Sequence, residues 1–384
     1  MRKKLLYLSM IIIIIFIFAF TSYTWHTRYL FDLPDMDLSL DFALVDGNLV
    51  FCAKDGIYRV DVSNPENRQC LVPYPQSYVE SVSAAGEPFV YMENDHGNVT
   101  VSYSIFHYLA PTTMLLNRAI TADQPTLQAI VGDGVGCYRE FEHYTVFANW
   151  PQYTSAASAV WVTDKNGNQQ CLFCQPPYRF AYQSSGKSSR LFQYGDQLYC
   201  FVSREKEPLQ ANLYQLDCIT GNFQPLIDTT VSDFAVTDNH LYYIAHGRLY
   251  HYNLDTQQCS EAAACQALHC PEAVDTFLNH ASCNHSVSLI ALENHVFYVN
   301  PKQQLCLLNQ SQPLYRDTLC FLQQQDQFII AVLQNRQGQY RTVVLNQDGS
   351  EIAALPMLAK VAVDQHYLIY TDGIHLYRQF RQTK

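Results

Sequence analysis

Two groups of cysteine and histidine residues carry the side chains that redox or metal chemistry would need. Cys171-Leu-Phe-Cys174 has the Cys-x-x-Cys spacing of thiol–disulfide exchange or of half a zinc site. It stands at a predicted strand end before Pro176, without the helix N-terminus that activates a thioredoxin-like thiol. The second group lies in one long predicted loop and has no standard zinc-finger spacing, so zinc and disulfide bonds both remain open: Cys259, Cys265, His269, Cys270, His280, Cys283 and His285.

Other motifs that suggest chemistry are incomplete. Gly186-Lys-Ser188 is part of a phosphate-binding loop, but Ala181 stands where that loop requires its first glycine. Asp35, Asp37 and Asp41 have a calcium-like spacing without the glycine and the glutamate of an EF-hand loop. The sequence contains no Gly-x-Ser-x-Gly and no His-Glu-x-x-His motif. It therefore predicts no catalytic, cofactor-binding or metal-binding residue, and no cofactor.

The cysteines also bear on the core and on pairing. There are 13 of them, an odd number, so in an exported chain at least one stays unpaired or joins another chain. Cys52, Cys200, Cys306 and Cys320 stand where strand alternation expects a small buried hydrophobic residue. We interpret these four as core residues.

The N-terminal residues have the pattern of an export signal. Arg2, Lys3 and Lys4 precede an apolar run that extends through the interfacial residues Tyr23 and Trp25, long enough to cross a bilayer. The small residues of a cleavage site are poorly placed, which favours an uncleaved signal-anchor over a cleaved signal peptide. We expect a cytoplasmic tail at 1–4, a transmembrane helix at 5–25, a linker at 26–35 and an extracytoplasmic domain at 36–384.

The composition indicates a folded and acidic domain. The chain is 48% hydrophobic and only 15% charged, with 27 tyrosines and 21 phenylalanines, as expected of a protein with a large core. Its net charge is −11, and four of the basic residues lie before residue 29. This charge opposes binding to nucleic acid or to an anionic membrane surface.

A strand–turn–strand pattern recurs along most of the chain. Its clearest copies begin at Phe42, Phe234 and Val361, each with an apolar strand, a polar turn and an aromatic-rich strand. Turn pairs such as Asp46-Gly47 and Asp238-Asn239 tolerate the positive φ of tight hairpins. Weaker copies raise the number of hairpin cores to eight, at 86–91, 142–147, 194–199, 291–298 and 325–330.

Hairpins of this kind cannot bury both of their faces alone, so neighbouring units must stack. Radial stacking of small antiparallel sheets gives a β-propeller. The sequence therefore predicts an all-β fold, a β-propeller of seven or eight blades, preceded by a single N-terminal transmembrane helix. The last unit ends after its third strand, and residues 36–40 are the candidate for the strand that closes the ring.

Two segments carry a family resemblance. Tyr367-Leu-Ile-Tyr-Thr-Asp-Gly-Ile-His-Leu-Tyr-Arg378 resembles the hairpin repeats of YWTD-type propellers, although Tyr370-Thr-Asp lacks the tryptophan. Asp55-Gly-Ile-Tyr-Arg-Val-Asp61 is similar to repeats of bacterial extracytoplasmic β-propeller proteins whose function is unassigned. The resemblance covers most of residues 36–380 as a repeat rhythm. It implies the propeller fold and a binding role, and it transfers no reaction and no functional residue.

The tether, the repeats and the incomplete motifs favour a membrane-anchored binding or scaffold module for a protein or glycan partner. The alternative is a glycan hydrolase or lyase, because residues distant in sequence can meet at a propeller's central channel. Clustered Asp, Glu or His side chains with shifted pKa values would favour this enzyme.

Overall fold

The structure is a computed structural model, and the part of the chain that it describes is almost entirely antiparallel β-sheet. The described residues are 27–32, 42–53, 56–73, 89–95, 98–104, 112–116, 127–129, 135–141, 144–149, 160–164, 166–173, 178–180, 191–204, 207–279 and 286–380.

The first strand, β1 (Thr27–Asp32), pairs with the last strand of the chain, and the strands that follow it form consecutive sheets. Sheet 1 contains β2 (Phe42–Val45), β3 (Asn48–Ala53), β4 (Gly56–Asp61) and β5 (Arg68–Pro73). Sheet 2 contains β6 (Phe89–Asp95), β7 (Asn98–Ser104), β8 (Thr112–Leu116) and β9 (Leu127–Ala129). Sheet 3 contains β10 (Val135–Glu140), β11 (Tyr144–Asn149), β12 (Val160–Asp164) and β13 (Gln169–Phe173). Sheet 4 contains β14 (Tyr178–Phe180), β15 (Leu191–Tyr194), β16 (Gln197–Arg204), β17 (Glu207–Asp217) and β18 (Phe223–Thr230).

The second half of the chain continues the pattern. Sheet 5 contains β19 (Asp233–Thr237), β20 (His240–Ala245), β21 (Arg248–Asn253) and β22 (Cys259–Ala264). A helix, α1 (Glu272–Asn279), precedes sheet 6, which contains β23 (Leu289–Leu292), β24 (His295–Val299) and β25 (Leu305–Leu307). Sheet 7 contains β26 (Thr318–Gln325), β27 (Phe328–Gln334), β28 (Tyr340–Leu345) and β29 (Glu351–Leu355). Sheet 8 contains β30 (Lys360–Val363), β31 (Tyr367–Thr371), β32 (His375–Phe380) and β1.

The first hairpin of five sheets is closed by a two-residue turn. The first residue of each turn has a positive φ: 47° at Asp46, 58° at Gly195, 48° at Asp238, 48° at Glu293 and 51° at Asp326. Turns with this backbone follow the right-handed twist of the flanking strands, so they hold the hairpins in register. The hairpins predicted from Phe42, Phe234 and Val361 are confirmed. The copy at 86–91 is off by one strand, because Phe89 begins β6, the first strand of its hairpin, and not the second.

The sheets pack against one another in chain order and return to the start. β2 contacts β6, and β7 contacts β10, which joins sheet 1 to sheet 2 and sheet 2 to sheet 3. Apolar clusters then fill every seam from sheet 3 to sheet 8. In the seam between sheets 4 and 5, the rings of Phe201 and Phe234 meet edge-on at 4.7 Å between centroids. Ile369 of sheet 8 lies in one cluster with Leu49 of sheet 1, so the order is cyclic, and the fold is a β-propeller.

The ring is closed by an N-terminal strand, as predicted, but the predicted residues were wrong. β1 pairs antiparallel with β32, from Thr27 opposite Gln379 to Asp32 opposite His375. Residues 27–32 were assigned to the linker because they directly follow the apolar N-terminal segment, although Tyr, Leu and Phe suit a strand. Residues 36–40 lie outside the described residues.

Each sheet has two different ends. We call the end with the hairpin turns between first and second strands the turn end, and the opposite end, where the chain crosses to the next sheet, the loop end. α1 lies at the loop end, where Val274 and Leu278 pack on Phe321 and Val332 of sheet 7. Within the described residues, no helix has the length and apolar character needed to cross a bilayer; residues 1–26 lie outside that set.

Candidate functional site

The predicted redox and phosphate motifs are placed only in part. Cys171 lies in β13, but neither its side chain nor Cys174 is among the described parts. Ser184, Gly186 and Ser188 also lie outside the described residues, as do Asp35, Asp37 and Asp41. The structure therefore leaves these motifs as sequence-based interpretations.

The cysteine and histidine group of the long loop is dispersed as far as it is described. Cys259 is exposed, and its Sγ lies 3.3 Å from the Tyr243 hydroxyl. Cys265 is buried between sheets 5 and 6, whereas Cys270 packs beside α1. His280, Cys283 and His285 lie outside the described residues. Among the residues that the structure does describe, no three His, Cys, Asp or Glu side chains form a metal-binding group.

The buried cysteines behave as core residues. Cys200, Cys306 and Cys320 are buried, as predicted, while the side chain of Cys52 lies outside the described set. Burial raises the pKa of Cys265 and Cys270 to about 12 each, and that of Cys320 to about 11. A thiol with so high a pKa stays protonated at neutral pH, so these three are poor nucleophiles.

At the turn end, side-chain hydrogen bonds join sheets 3 to 8 in order and sheet 8 to sheet 1. The Tyr144 hydroxyl donates to Asp196 at 3.1 Å, which joins sheets 3 and 4. The Tyr194 hydroxyl donates to Asp255 at 3.0 Å and joins sheets 4 and 5. Further bonds join sheets 5 to 8 and return to sheet 1: Thr237 to the Glu293 carbonyl, Gln347 to the Glu293 carboxylate, Gln325 to the Val361 carbonyl, and the Gly47 amide to Asp364.

Carboxylates at the turn end are held as hydrogen-bond acceptors. Asp217, the last residue of β17, accepts the backbone N–H groups of Thr220 at 2.7 Å and Ile219 at 3.0 Å. These bonds, led by the one from Thr220, lower the pKa of Asp217. Asp164 ends β12 in the same way, and bonds from Asn168 lower its pKa. The pKa of Asp348 is lowered by bonds from Ser350. Such groups are fixed anions at neutral pH.

The loop end is built differently. The connection from β22 to β23 leaves sheet 5 at Cys265. It then contacts sheet 6, where Gln266 N–H donates to the carbonyl of Val299 in β24 at 3.0 Å. It then forms α1 beside sheets 7 and 8. Gly373, in the connection from β31 to β32, lies so close to α1 that a Cβ there would stand 3.1 Å from Phe277 Cε2. Its neighbour Ile374 is 63% exposed.

Beside Ile374, a polar cluster fixes the β31–β32 connection. Asp372 Oδ1 accepts the N–H groups of Ile374 and His375 at 2.8 Å each. Its Oδ2 lies 3.4 Å from His375 Nδ1 and from the Tyr377 hydroxyl. Burial works to raise the pKa of Asp372, but the bonds from His375 and Ile374 outweigh it, and the net pKa is lowered. Asp372 thus anchors the loop that presents Ile374.

Two features of this molecule were not predicted from the sequence. α1 was expected to be loop, because an eight-residue helix is too short to give a clear period; Glu272 and Asp275 in its first turn were the available signal. The second is a pair of histidines on adjacent strands, His240 and His251, with ring nitrogens 2.9 Å apart. The register of β20 and β21, which the structure shows, brings these two residues together.

No family model matches this chain, and no curated protein is similar to it. Among solved structures, it is similar to the propeller domain of the Trilobed protease from Pyrococcus furiosus, with a TM-score of 0.45 and 10% identity over 76% of this chain and 95% of that one. A Mycobacterium tuberculosis puromycin-hydrolysing peptidase gives a TM-score of 0.47 and 10% identity over 89% of this chain and 60% of that one.

A chain of the mitotic checkpoint complex gives a TM-score of 0.43 and 9% identity over 93% of this chain and 91% of that one. With TM-scores no higher than 0.47, we infer neither activity nor partner from these likenesses. The resemblance to YWTD-type repeats stays a prediction.

Proposed function

We propose that this chain is a membrane-anchored, extracytoplasmic binding or scaffold module that recognises a protein partner at its loop end. In this proposal each of the eight sheets is one blade of the propeller, and residues 5–25 are the anchor. A glycan is the second candidate for the ligand at the same surface. Nucleic acid is disfavoured by the net charge of −11.

The difference between the two ends of the sheets supports this proposal. At the turn end, the first hairpins of five sheets are closed by two-residue turns, and side-chain bonds join sheets 3 to 8 in order and sheet 8 to sheet 1. The loop end carries the connections between sheets, including α1, and the β31–β32 connection of sheet 8 with the exposed Ile374. Binding residues concentrate on loops that a rigid scaffold positions. The loop end therefore has the features of a recognition surface, with the turn end as its support.

Four described aspartates lack the raised pKa that the acid of a glycosidase needs. A glycosidase needs one carboxyl group whose pKa is raised, so that it can donate a proton to the leaving group. Asp164, Asp217, Asp348 and Asp372 all have lowered pKa values, since backbone or side-chain donors stabilise their ionised forms. These four carboxylates are acceptors that hold turns in place, and none is a general acid.

Two isoleucines give a matched test. Ile374 at the loop end is 63% exposed, and Ile219, in the β17–β18 turn at the turn end, is 62% exposed. The full-length chain, expressed in its own membrane fraction with a C-terminal tag, is cross-linked, purified and compared with Ile374→Lys and Ile219→Lys. We expect the parent chain to recover a stoichiometric protein partner. Recovery should fall at least roughly tenfold in Ile374→Lys and stay unchanged in Ile219→Lys, as for a residue at the centre of an interface.

Both isoleucines are on the surface, so both variants should keep the melting temperature of the parent protein. Equal recovery in the two variants would contradict recognition at this part of the loop end. Recovery of no partner, together with binding of envelope glycan by the purified chain, would favour the glycan ligand. Release of the chain from membranes by high salt would contradict the anchor without bearing on the loop end.

A further inference from the structure

His240 and His251 form a pair that none of the roles above uses. In the register of β20 and β21, His240 lies opposite Asn253, and Tyr242 lies opposite His251. The two histidines are thus diagonal neighbours on one face of the sheet, a spacing that long or aromatic side chains can bridge. His251 Nε2 lies 2.9 Å from His240 Nδ1. Both histidines are half-buried and lie on the sheet face from which Tyr242 packs against the apolar cluster between sheets 5 and 6.

The surrounding side chains fix the orientation of both rings. The Tyr242 ring is stacked on His251, with 5.0 Å between centroids and 23° between planes. The two imidazoles are tilted by 52° at 4.9 Å. Burial, and after it the charge of His240, lower the pKa of His251.

The separation of the two nitrogens fits one coordination geometry. Imidazole nitrogens bind transition metals at about 2.0–2.1 Å. For two nitrogens 2.9 Å apart, an ion at that distance from both makes a nitrogen–metal–nitrogen angle of about 90°. Cis positions of a square-planar or octahedral ion have this angle, whereas tetrahedral zinc requires nitrogens roughly 3.3 Å apart.

We propose that His240 Nδ1 and His251 Nε2 form a two-histidine site for a divalent transition metal of the nickel or copper type. The remaining coordination positions belong to water or to a donor from a binding partner, since no third His, Cys, Asp or Glu joins the pair among the described residues. The proton now shared between the rings moves to the remote nitrogen of the same imidazole, so no net proton is released. The half-exposed seam gives the ion access.

The test uses the full-length chain with a histidine-free tag and Ni2+ as the probe. Diethylpyrocarbonate acylates free imidazole nitrogens, and mass spectrometry reads the modification of each histidine separately. We expect Ni2+ to protect His240 and His251 together, with the same concentration for half-protection. Replacing one of the two ligands should raise the Ni2+ concentration that half-protects the remaining histidine. The increase should exceed the roughly 10- to 100-fold loss of metal affinity that changes outside the ligand set cause.

The variants are His251→Gln and His240→Gln, with His269→Gln as the control, because His269 is exposed and lies apart from the pair. The control should leave the protection of His240 unchanged. Equal protection of His240 in the native chain and in His251→Gln would show that the proposal is wrong. So would the absence of any protection of His240 in the native chain up to millimolar Ni2+. A second measurement needs no variant: electron spin echo modulation of the Cu2+-loaded native chain should show two imidazoles, and one or none would overturn the site.

Discussion

Arg378 in β32 donates a hydrogen bond from Nη1 to the backbone carbonyl of Val62, which follows β4. The bond crosses from the last sheet to the first, and the side chain is only 3% exposed. Leu376, two residues earlier on the same face, lies in the apolar cluster that joins these two sheets. A buried guanidinium thus takes part in closing the ring, next to a seam that is otherwise apolar.

Replacing this arginine should weaken the whole domain. Arg378→Ala removes a buried hydrogen bond from a charged donor and leaves a cavity in the closing seam, so we expect a loss of about 2–4 kcal/mol in the free energy of unfolding. Urea unfolding followed by circular dichroism measures it. Arg336→Ala, at an exposed turn position, should change stability by less than about 0.5 kcal/mol. Similar losses in the two variants would show that Arg378 has no special part in closure.

The observed and the predicted closing strands can be compared directly. Substituting a Gly-Ser segment of equal length for residues 27–32 should remove the pairing with β32 and expose its edge. We expect the melting temperature to fall by roughly 5 °C or more. The same substitution at 36–40 should leave it nearly unchanged. A larger fall for 36–40 would restore the prediction from sequence and exclude β1 as the closing strand.

Local patterns in the sequence predicted the hairpins well. Asp46-Gly47 and Asp238-Asn239 close the turns that their residue types indicate, and their first residues do adopt a positive φ. The closing strand was misplaced because its pairing joins residues that are far apart in the chain, and the strand-forming residues of 27–32 do not by themselves indicate their partner. The links at the turn end, such as Tyr194 to Asp255, depend in the same way on which sheet lies next to which.

The contact between the β31–β32 connection and α1 can be probed with one methyl group. Gly373 has a φ of 97°, and a Cβ there would lie 3.1 Å from Phe277 Cε2. Gly373→Ala should therefore lose about 1–3 kcal/mol of stability from backbone strain, and the clash adds to it. Gly338→Ala is the control, since Gly338 has a φ of 81° but nothing within 4 Å of the added Cβ.

Hydrogen exchange of α1 separates these two effects. Only Gly373→Ala should increase exchange in the helix, because only there does the new methyl group press on Phe277. Equal exchange in both variants would mean that the clash relaxes without moving α1.

Asp217, which ends β17 in sheet 4, should contribute to the dependence of folding stability on pH in the acid range. The pKa of Asp217 is lowered in the folded chain, chiefly by the Thr220 N–H. Its contribution is present above the unfolded aspartate pKa of about 3.9 and is lost as the pH falls through the folded value. Asp217→Asn should therefore flatten the fall in melting temperature below pH ~4.

Sheet 5 offers the reverse experiment. Asn253 ends β21 and accepts N–H bonds from Asp255 and Thr256, two and three residues on, as Asp217 does from Ile219 and Thr220. Asn253→Asp should add a fall in stability over the same acid range. Identical pH profiles for both variants and the parent chain would exclude a titrating cap at this position.

The pairing of Thr27 with Gln379 also governs when this protein can finish folding. Sheets 1 to 7 consist of consecutive strands, so each can assemble as soon as its own residues leave the ribosome. β1 precedes sheets 1 to 7 in the chain, but it has no partner until β32 has been synthesised. The first strand of the chain therefore waits for the last, and a polypeptide truncated anywhere before β32 leaves the ring open.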